Sequence, residues 1–317
     1  MESFKKKILI FGGTGSLGRA LAKKFLKSFE IAVFSRDEDK QFRMRKDFPE
    51  VHYIIGDIRN YDSVLKAVQD YKPHYIINAS AMKQVPICED FPWEAVMTNT
   101  MGTHNLVRAV ENAKGVDNLE TIVSISSDKA CNPINSYGMT KALQERIHIQ
   151  GKGHIFNCVR YGNILESTGS VIPFFKHRLE NGLDLPVTNY NMTRFFLSFE
   201  DAINLIVAAM NDKEGKKIFI PIAHSAKVLD LAKILCKVYH RDESIIRESQ
   251  IRPGEKIHEA MISEHEFVHA RKGDGFYVLY GPTSETQYHE FDKEYSSKDC
   301  LLTCDEFEEF LRDKDVI

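Results

Sequence analysis

The stretch "SSDKACNPINSYGMTK", residues 126–141, concentrates side chains that can move protons. Tyr137 and Lys141 stand four positions apart, which places them on one face of a helix if the segment is helical. A phenol beside an ammonium is a workable base, because the cation favours phenolate near neutral pH. Ser127 can hydrogen-bond the same substrate hydroxyl. Such a set takes the proton from an alcohol while a hydride leaves its carbon. Asp128 and Lys129 add an acid and a base that alcohol oxidation alone does not need. A lysine acting as base must be partly neutral, so its pKa should be depressed by burial or by nearby cations such as Lys141 and an oxidised, cationic hydride acceptor. Asp128 must in turn be protonated at the right moment, and the adjacent pair can share a proton as one titrating unit. On an exposed loop the same pair would make surface contacts only.

These groups need a scaffold, and the first half of the chain supplies a rhythm for one. "ILIF" (8–11), "IAVF" (31–34), "HYIIG" (52–56), "HYIIN" (74–78) and "TIVSIS" (121–126) have the length and β-branching of buried parallel strands. Helical spacing fills the gaps, as in "GRALAKKFLKSF" and "DSVLKAVQDY". The alternation predicts an α/β fold with a doubly wound parallel sheet. A further strand is expected near "IFNCVRYGN" (155–163), and a last one or two near 216–221. Beyond 164 the rhythm loosens, with a helix expected in "SAKVLDLAKILCKVY" and a solvated helix in the acidic ending "CDEFEEFLRDKD".

"ILIFGGTGSLGRALA" sets Gly12, Gly15 and Gly18 directly after the first strand and at the opening of a helix. Glycines there let the turn tighten and the backbone approach a pyrophosphate, which the helix N-terminus holds. The second strand ends in "VFSRDEDK". Ser35, Arg36 and Lys40 suit the 2′-phosphate of NADP, whereas Asp37 could take the 2′-hydroxyl of NAD. Asp57 and Ile58 in "GDIRN" either flank the adenine or form a turn or helix cap. The expected division is an NADP-binding Rossmann domain over 1–163 with returning segments near 195–225. A smaller α/β substrate lobe and the tail would occupy most of 164–317.

The totals exclude several classes. Lys plus Arg number 42 against 45 Asp plus Glu, a balance that leaves no broad cationic surface for a nucleic acid polymer. "MESFKKKILIFGG" imitates a signal peptide, but its apolar run breaks at Gly12-Gly13, and no stretch approaches the roughly 20 apolar residues of a membrane span. The six scattered cysteines read as reduced thiols of a cytoplasmic protein. His258, His265 and His269 are too loosely spaced for a metal site, and none is expected.

Taken with the glycine loop, Ser127 and Tyr137-x-x-x-Lys141, the chain resembles the extended short-chain dehydrogenase/reductase superfamily. More narrowly, "GGTGSLG", "SRDEDKQ", "SSDKACNPINSYGMTK", "VRYGNI", "GSVIPFF", "MTRFF" and "IRPGEKIHE" resemble the inverting, 5-epimerising UDP-N-acetylglucosamine 4,6-dehydratases. The resemblance implies that Tyr137 and NADP oxidise C4, that Lys129 removes the C5 proton, and that Asp128 helps the C6 hydroxyl leave. It implies a cofactor surface of Gly12, Thr14, Gly15, Ser16, Leu17, Gly18, Ser35, Arg36, Lys40, Asp57, Ile58, Ala79, Ala81, Lys83, Tyr137 and Lys141. For the UDP-sugar it implies Lys83, Asn163, Val171, Thr193, Arg194, Arg252 and Glu255, with Asn99 orienting the helix of Tyr137. Closed homo-oligomers are the family's habit. Retaining 4,6-dehydratases resemble this pattern but carry Asp-Glu in place of Asp128-Lys129, and C4 epimerases need no such pair. A non-catalytic NADP(H)-binding scaffold is the alternative of another class. Ser127 stands where threonine is frequent, and Asn78 where histidine is.

Overall fold

The apolar runs of the first half pair as parallel strands. In the computed structural model, which describes residues 5–281, 287–288, 290 and 292–317, they are β1 (Lys7–Phe11), β2 (Glu30–Ser35), β3 (His52–Ile55), β4 (Tyr75–Asn78), β5 (Thr121–Ile125) and β6 (Ile155–Val159). Among the described residues they belong to a nine-stranded sheet in the order 270–272, 276–280, 217–221, β6, β5, β4, β1, β2, β3. Strand Lys217–Pro221 adds parallel to β6, and the two edge strands add antiparallel. β1 is flanked by β2 and β4, so the chain winds outward in both directions from it, and a crevice opens at the carboxyl ends of β1 and β4.

Side-chain alternation explains why the sheet is covered on both faces. Ile8 and Ile10 face one buried cluster together with Leu21, Ile77, Ile203 and Ile206. Leu9 and Phe11 face another with Phe34, Val64, Ile76 and Leu106. Strands apolar on both sides cannot sit at a solvent-facing sheet, so helices pack on each face. On the first face lie α1 (Ser16–Phe25) and helix Phe199–Asn211, and on the second α3 (Tyr61–Tyr71) and helix Gly102–Asn112. Between β2 and β3 runs α2 (Glu38–Asp47).

A third cluster forms apart from the sheet, around Phe175, Leu185, Phe196, Leu231, Leu235, Phe307 and Leu311. It gathers helices Val171–Glu180, Val228–Val238 and Cys304–Asp313. The last of these corrects the expectation of a fully solvated acidic ending. Its acids face outward, while Phe307 and Leu311 are buried, each such side chain contributing roughly 1.5–3 kcal/mol. Short strands Asn163–Ile164, Thr193–Leu197 and His224–Lys227 make a small separate sheet. Two strands of the main sheet, 270–272 and 276–280, come from a stretch in which the sequence reading placed no strand. Their hairpin turns at Gly273-Asp274-Gly275, where Gly275 takes φ +78°.

All six cysteines are free. Among the described residues no His, Cys, Asp and Glu cluster could hold a metal ion, and no helix is long and apolar enough to cross a membrane.

Candidate active site

The crevice is a cleft of about 750 Å³, and every residue expected above to touch the cofactor lines it. Its floor is the glycine turn. Gly12 takes φ +71°, and a Cβ there would lie 2.8 Å from the Ala79 carbonyl group on β4's far end. A Cβ on Gly18 would sit 2.3 Å from the Gly13 carbonyl oxygen. Both glycines are therefore demanded by packing. Gly15 is different: its Cβ would meet only the Gly12 oxygen, at an ordinary 3.4 Å. It is also the N-cap of α1 and offers no side-chain cap, so the first amides of that helix stay free to bind an anion. These features fit the pyrophosphate of a dinucleotide.

At the end of β2 the charges sort themselves. Asp37 caps α2 by accepting the Lys40 amide at 2.9 Å, and its carboxylate pairs with the Lys40 ammonium at 3.0 Å. That backbone bond, with the Lys40 side chain, holds the Asp37 carboxyl below its usual range. Ser35 Oγ accepts from Gln41 at 3.0 Å. Arg36, 59% exposed, lies 3.8 Å from Asp57, whose own carboxylate is occupied by the amide and guanidinium of Arg59. Asp57 is thus both a turn-former and a wall of the cleft. Arg36 is the group least committed to the protein.

Ser127 closes β5 and caps a single 3-10 turn, Asp128–Ala130, by accepting the Lys129 amide at 3.2 Å. The helix Ser136–Ile149 follows, capped by Asn135, whose Oδ1 accepts the Gly138 amide at 2.7 Å. Gly138 lets the turn and the helix touch, since a Cβ there would fall 2.2 Å from the Lys129 carbonyl oxygen. The close approach brings Ser127, Asp128, Lys129, Tyr137 and Lys141 to one wall of the cleft. Asn99, in the wide helical turn Val96–Met101, ties Thr140 of this helix at 3.0 Å to the Met82 loop at 2.8 and 3.0 Å.

The expectation for Lys129 counted on an oxidised hydride acceptor, and the protein's own groups alone act in the other direction. Burial alone would lower the Lys129 pKa, but Asp128 at 3.0 Å and Glu259 at 3.5 Å outweigh it and raise the amine above its ordinary range; Arg194 pulls the other way. The two carboxylates favour the ammonium form of Lys129. Lys141 is not among the main charges acting on Tyr137. Its Nζ donates to the Ile125 carbonyl at 2.6 Å and to Gln144, and burial pushes it down to about 8. Burial pushes Tyr137 up to about 12, against a hydrogen bond with Ser127 and the charge of Lys129. The neighbouring cation on the phenol is Lys129.

The residues expected to bind substrate divide. Lys83 and Asn163 line the cleft, with Lys83 Nζ on the Thr168 carbonyl at 2.9 Å. Val171 starts its helix and packs against the third cluster. Thr193 and Arg194 point inward: Thr193 Oγ1 meets His258 at 2.9 Å and Ser297 at 2.7 Å. Arg194 donates to the carbonyls of Thr193, Ile257 and Lys256 at 2.8, 3.1 and 2.9 Å. Arg252 is 60% exposed beside Glu255, at 3.7 Å. The structure does not gather these last five into the cleft.

Two charged residues escaped the sequence reading. Glu259 is the last letter of "IRPGEKIHE" and is buried against Lys129. Arg160, in "VRYGN", is fully buried between Glu145 of the Tyr137 helix at 2.7 Å and Glu266 at 2.8 Å. A buried charge far along the chain leaves no local signal except its type.

With this geometry the comparisons can be placed. Residues 8–280 match the family model described as polysaccharide biosynthesis protein. The chain belongs to that family, within the extended short-chain dehydrogenase/reductases. It is 38% identical over 288 residues to the inverting UDP-N-acetylglucosamine 4,6-dehydratase of Campylobacter jejuni, covering 87% of this chain and 83% of that one. It is 36% identical over 311 residues to a UDP-glucose 4-epimerase of Rickettsia rickettsii, covering 94% and 89%. Among solved structures, Pen from Bacillus thuringiensis superposes with TM-score 0.90 at 31% identity, with 100% of both chains covered. The UDP-glucose 4-epimerase of Thermus thermophilus, solved with NAD, shares the fold at TM-score 0.69 and 19% identity, covering 78% of this chain and 88% of that one. The family's members named here include both dehydratases and epimerases.

Proposed function

We propose that the chain is an NADP-dependent, redox-neutral UDP-N-acetylglucosamine 4,6-dehydratase that inverts C5. Its product is UDP-2-acetamido-2,6-dideoxy-β-L-arabino-hex-4-ulose. The observation that carries this reading is the Asp128–Lys129 pair on the cleft wall beside Ser127 and Tyr137. An epimerase, the name borne by the Rickettsia relatives, oxidises and reduces C4 and has no use for an acid and a base at C5 and C6. Under this reading residues 1–163 hold the cofactor and most of 164–317 the sugar nucleotide. Arg36 and Lys40 take the 2′-phosphate, because Asp37 is spent as a helix cap.

The residues act in sequence. Ser127 and Tyr137 hold the C4 hydroxyl, and the phenolate takes its proton. When bound, the nicotinamide supplies the chemistry of accepting hydride from C4 and returning it at C6. The C4 ketone makes the C5 proton acidic, and Lys129, as the amine, removes it. Asp128 gives a proton to the departing C6 hydroxyl, so water leaves, and a solvent-derived proton is finally restored at C5 on the opposite face, which inverts that centre. Asp128 Oδ1 is held by Ser127 and Lys129, whereas its buried Oδ2 has no hydrogen-bond partner among the described residues and is the oxygen left for the leaving group. The Lys129 proton must go before C5 is attacked; passed to Asp128, whose Oδ1 is 3.0 Å away, it leaves both the neutral amine and the carboxylic acid that the two steps need.

The test is incubation with NADP and UDP-N-acetylglucosamine, UDP-glucose or UDP-galactose in heavy water, without added reductant. Loss of one water from the first, with deuterium at C5, is expected. A product that keeps its 6-hydroxyl would make the chain an epimerase, and no turnover of any sugar would leave a binding scaffold. Exposed Phe91, Trp93 and Leu143 support a homo-oligomer, which a molar mass of one chain by light scattering would exclude.

A further inference from the structure

Lys129 is held from two sides by carboxylates, and only one of them is its sequence neighbour. Glu259 arrives on the segment between Arg252 and strand Ala260–Ile262, and its side chain is 3% exposed. Its Oε1 lies 3.5 Å from Lys129 Nζ and 4.0 Å from Arg194 Nε. Its Oε2 lies 3.8 Å from Lys256 Nζ, buried and without a hydrogen-bond partner among the described residues. Burying a carboxylate is costly unless it is paired, and none of these distances is a full hydrogen bond. The backbone, by contrast, is firmly fixed: the Glu259 amide donates to Ser297 Oγ at 2.9 Å, and its carbonyl accepts the Ser297 amide at 2.8 Å. The fold thus anchors the backbone of this residue tightly and sets its carboxyl group beside Lys129.

We propose that Glu259 is a positioning residue for Lys129, closing an Asp128–Lys129–Glu259 triad that sets how readily the amine gives up its proton. The inference deepens the dehydratase reading and rests on it for the role of Lys129. Asp128 and Glu259 favour the ammonium, and Arg194 and Lys256 offset Glu259 in part. Tyr137 is the remaining titrating neighbour. A base with greater proton affinity pulls harder on a carbon acid but is neutral less often. Glu259 places Lys129 on the strong, rarely neutral side of that balance, so that the amine forms only as its proton passes to Asp128 at 3.0 Å. The opposite choice, an intrinsically neutral lysine, would leave a weaker base.

The variant that tests this is Glu259→Gln, with Glu259→Asp as the conservative control, both as the NADP-loaded protein. Two measurements are made. The first reads Lys129 directly: pulsed acylation across pH, with the peptide carrying Lys129 quantified by mass spectrometry, since only a neutral amine reacts. Its midpoint should fall in Glu259→Gln by about one pH unit or more, the value for unit charges 3.5 Å apart even with full water screening. Glu259→Asp should restore part of the shift. The second reads chemistry with UDP-N-acetylglucosamine: the acid limb of C5 proton exchange should move to lower pH while its plateau falls. C4 oxidation, read as NADPH absorbance in a single turnover, should keep its rate within about threefold. An unchanged acylation midpoint would overturn the proposal, as would equal losses of C4 oxidation and C5 exchange at every pH, the mark of a merely structural residue. If wild-type protein dehydrates no sugar, the proposed function fails, yet the acylation midpoint still decides the role of Glu259.

Discussion

Gly138→Ala probes the joint on which the reactive wall is built. A Cβ at this position would lie 2.2 Å from the Lys129 carbonyl oxygen, 3.1 Å from its carbonyl carbon and 3.2 Å from Pro133 Cβ. A carbon and a carbonyl oxygen approach to about 3.3 Å, so the turn or the helix must retreat by roughly 1 Å. Neither can do so freely. The turn hangs from the Asp128 amide on the Tyr161 carbonyl at 3.0 Å, and the helix is clamped through Thr140 to Asn99 at 3.0 Å. Overpacking of this kind costs about 1–3 kcal/mol, while alanine returns about 1 kcal/mol of helix propensity. The net loss of stability is therefore small, about 2 kcal/mol at most. The catalytic loss is larger, because a displacement near 1 Å between reacting groups costs about a hundredfold in rate, or about 2.7 kcal/mol of barrier. Water loss from UDP-N-acetylglucosamine and the melting temperature should be measured together, with Met139→Ala, half-exposed on the same helix, as control. A Gly138→Ala protein that dehydrates within threefold of wild type would refute the reasoning, since the two elements would then not need their observed contact.

Three further expectations follow from the same geometry. Lys129→Ala should lose water elimination and C5 exchange while still oxidising C4. Because it also removes a cation that lowers the Tyr137 phenol, the acid limb of C4 oxidation should move to higher pH; full dehydration by this variant would remove lysine from its role. Arg36→Ala should weaken NADP binding about tenfold or more and leave NAD binding nearly unchanged, as equilibrium titration of both would show; equal losses would mean that Arg36 does not read the 2′-phosphate. Glu266 resists burial through Arg160 and Ser263, which hold its carboxyl down at about 2. A depressed carboxyl stabilises the fold above its unfolded value of 4.5 and loses that contribution as pH falls towards 2, so acid unfolding of wild type should steepen in that window. Glu266→Gln should be less stable at neutral pH, by about 3–5 kcal/mol for the loss of one partner of a buried pair, and should show less change across the window.

The fold's first half was legible because each of its strands is apolar on both faces and each connection carries its own helical period. Gly18, which packs on Gly13, is likewise a local matter, whereas the demand for Gly12 is completed by Ala79 from β4's far end. The tail was not legible: the strands 270–272 and 276–280 are short, carry charge, and hold their place only by pairing with each other and with 217–221. The acidic helix shows the same limit, since Phe307 and Leu311 look like minor apolar residues until a third cluster receives them.

Within the candidate site, the residue types suited to proton chemistry, and their gathering after β5, were determined by sequence alone, because Ser127 to Lys141 is one strand end, one turn and one helix. What only the tertiary structure decided was the charge those groups carry. Asp128 at 3.0 Å and Glu259, from a distant segment, at 3.5 Å favour the Lys129 ammonium, and Lys129 acts on the Tyr137 phenol while Lys141 turns to Ile125 and Gln144. Proton affinity depends on the field of every nearby charge and on burial, and both are set by which distant segments the fold brings together.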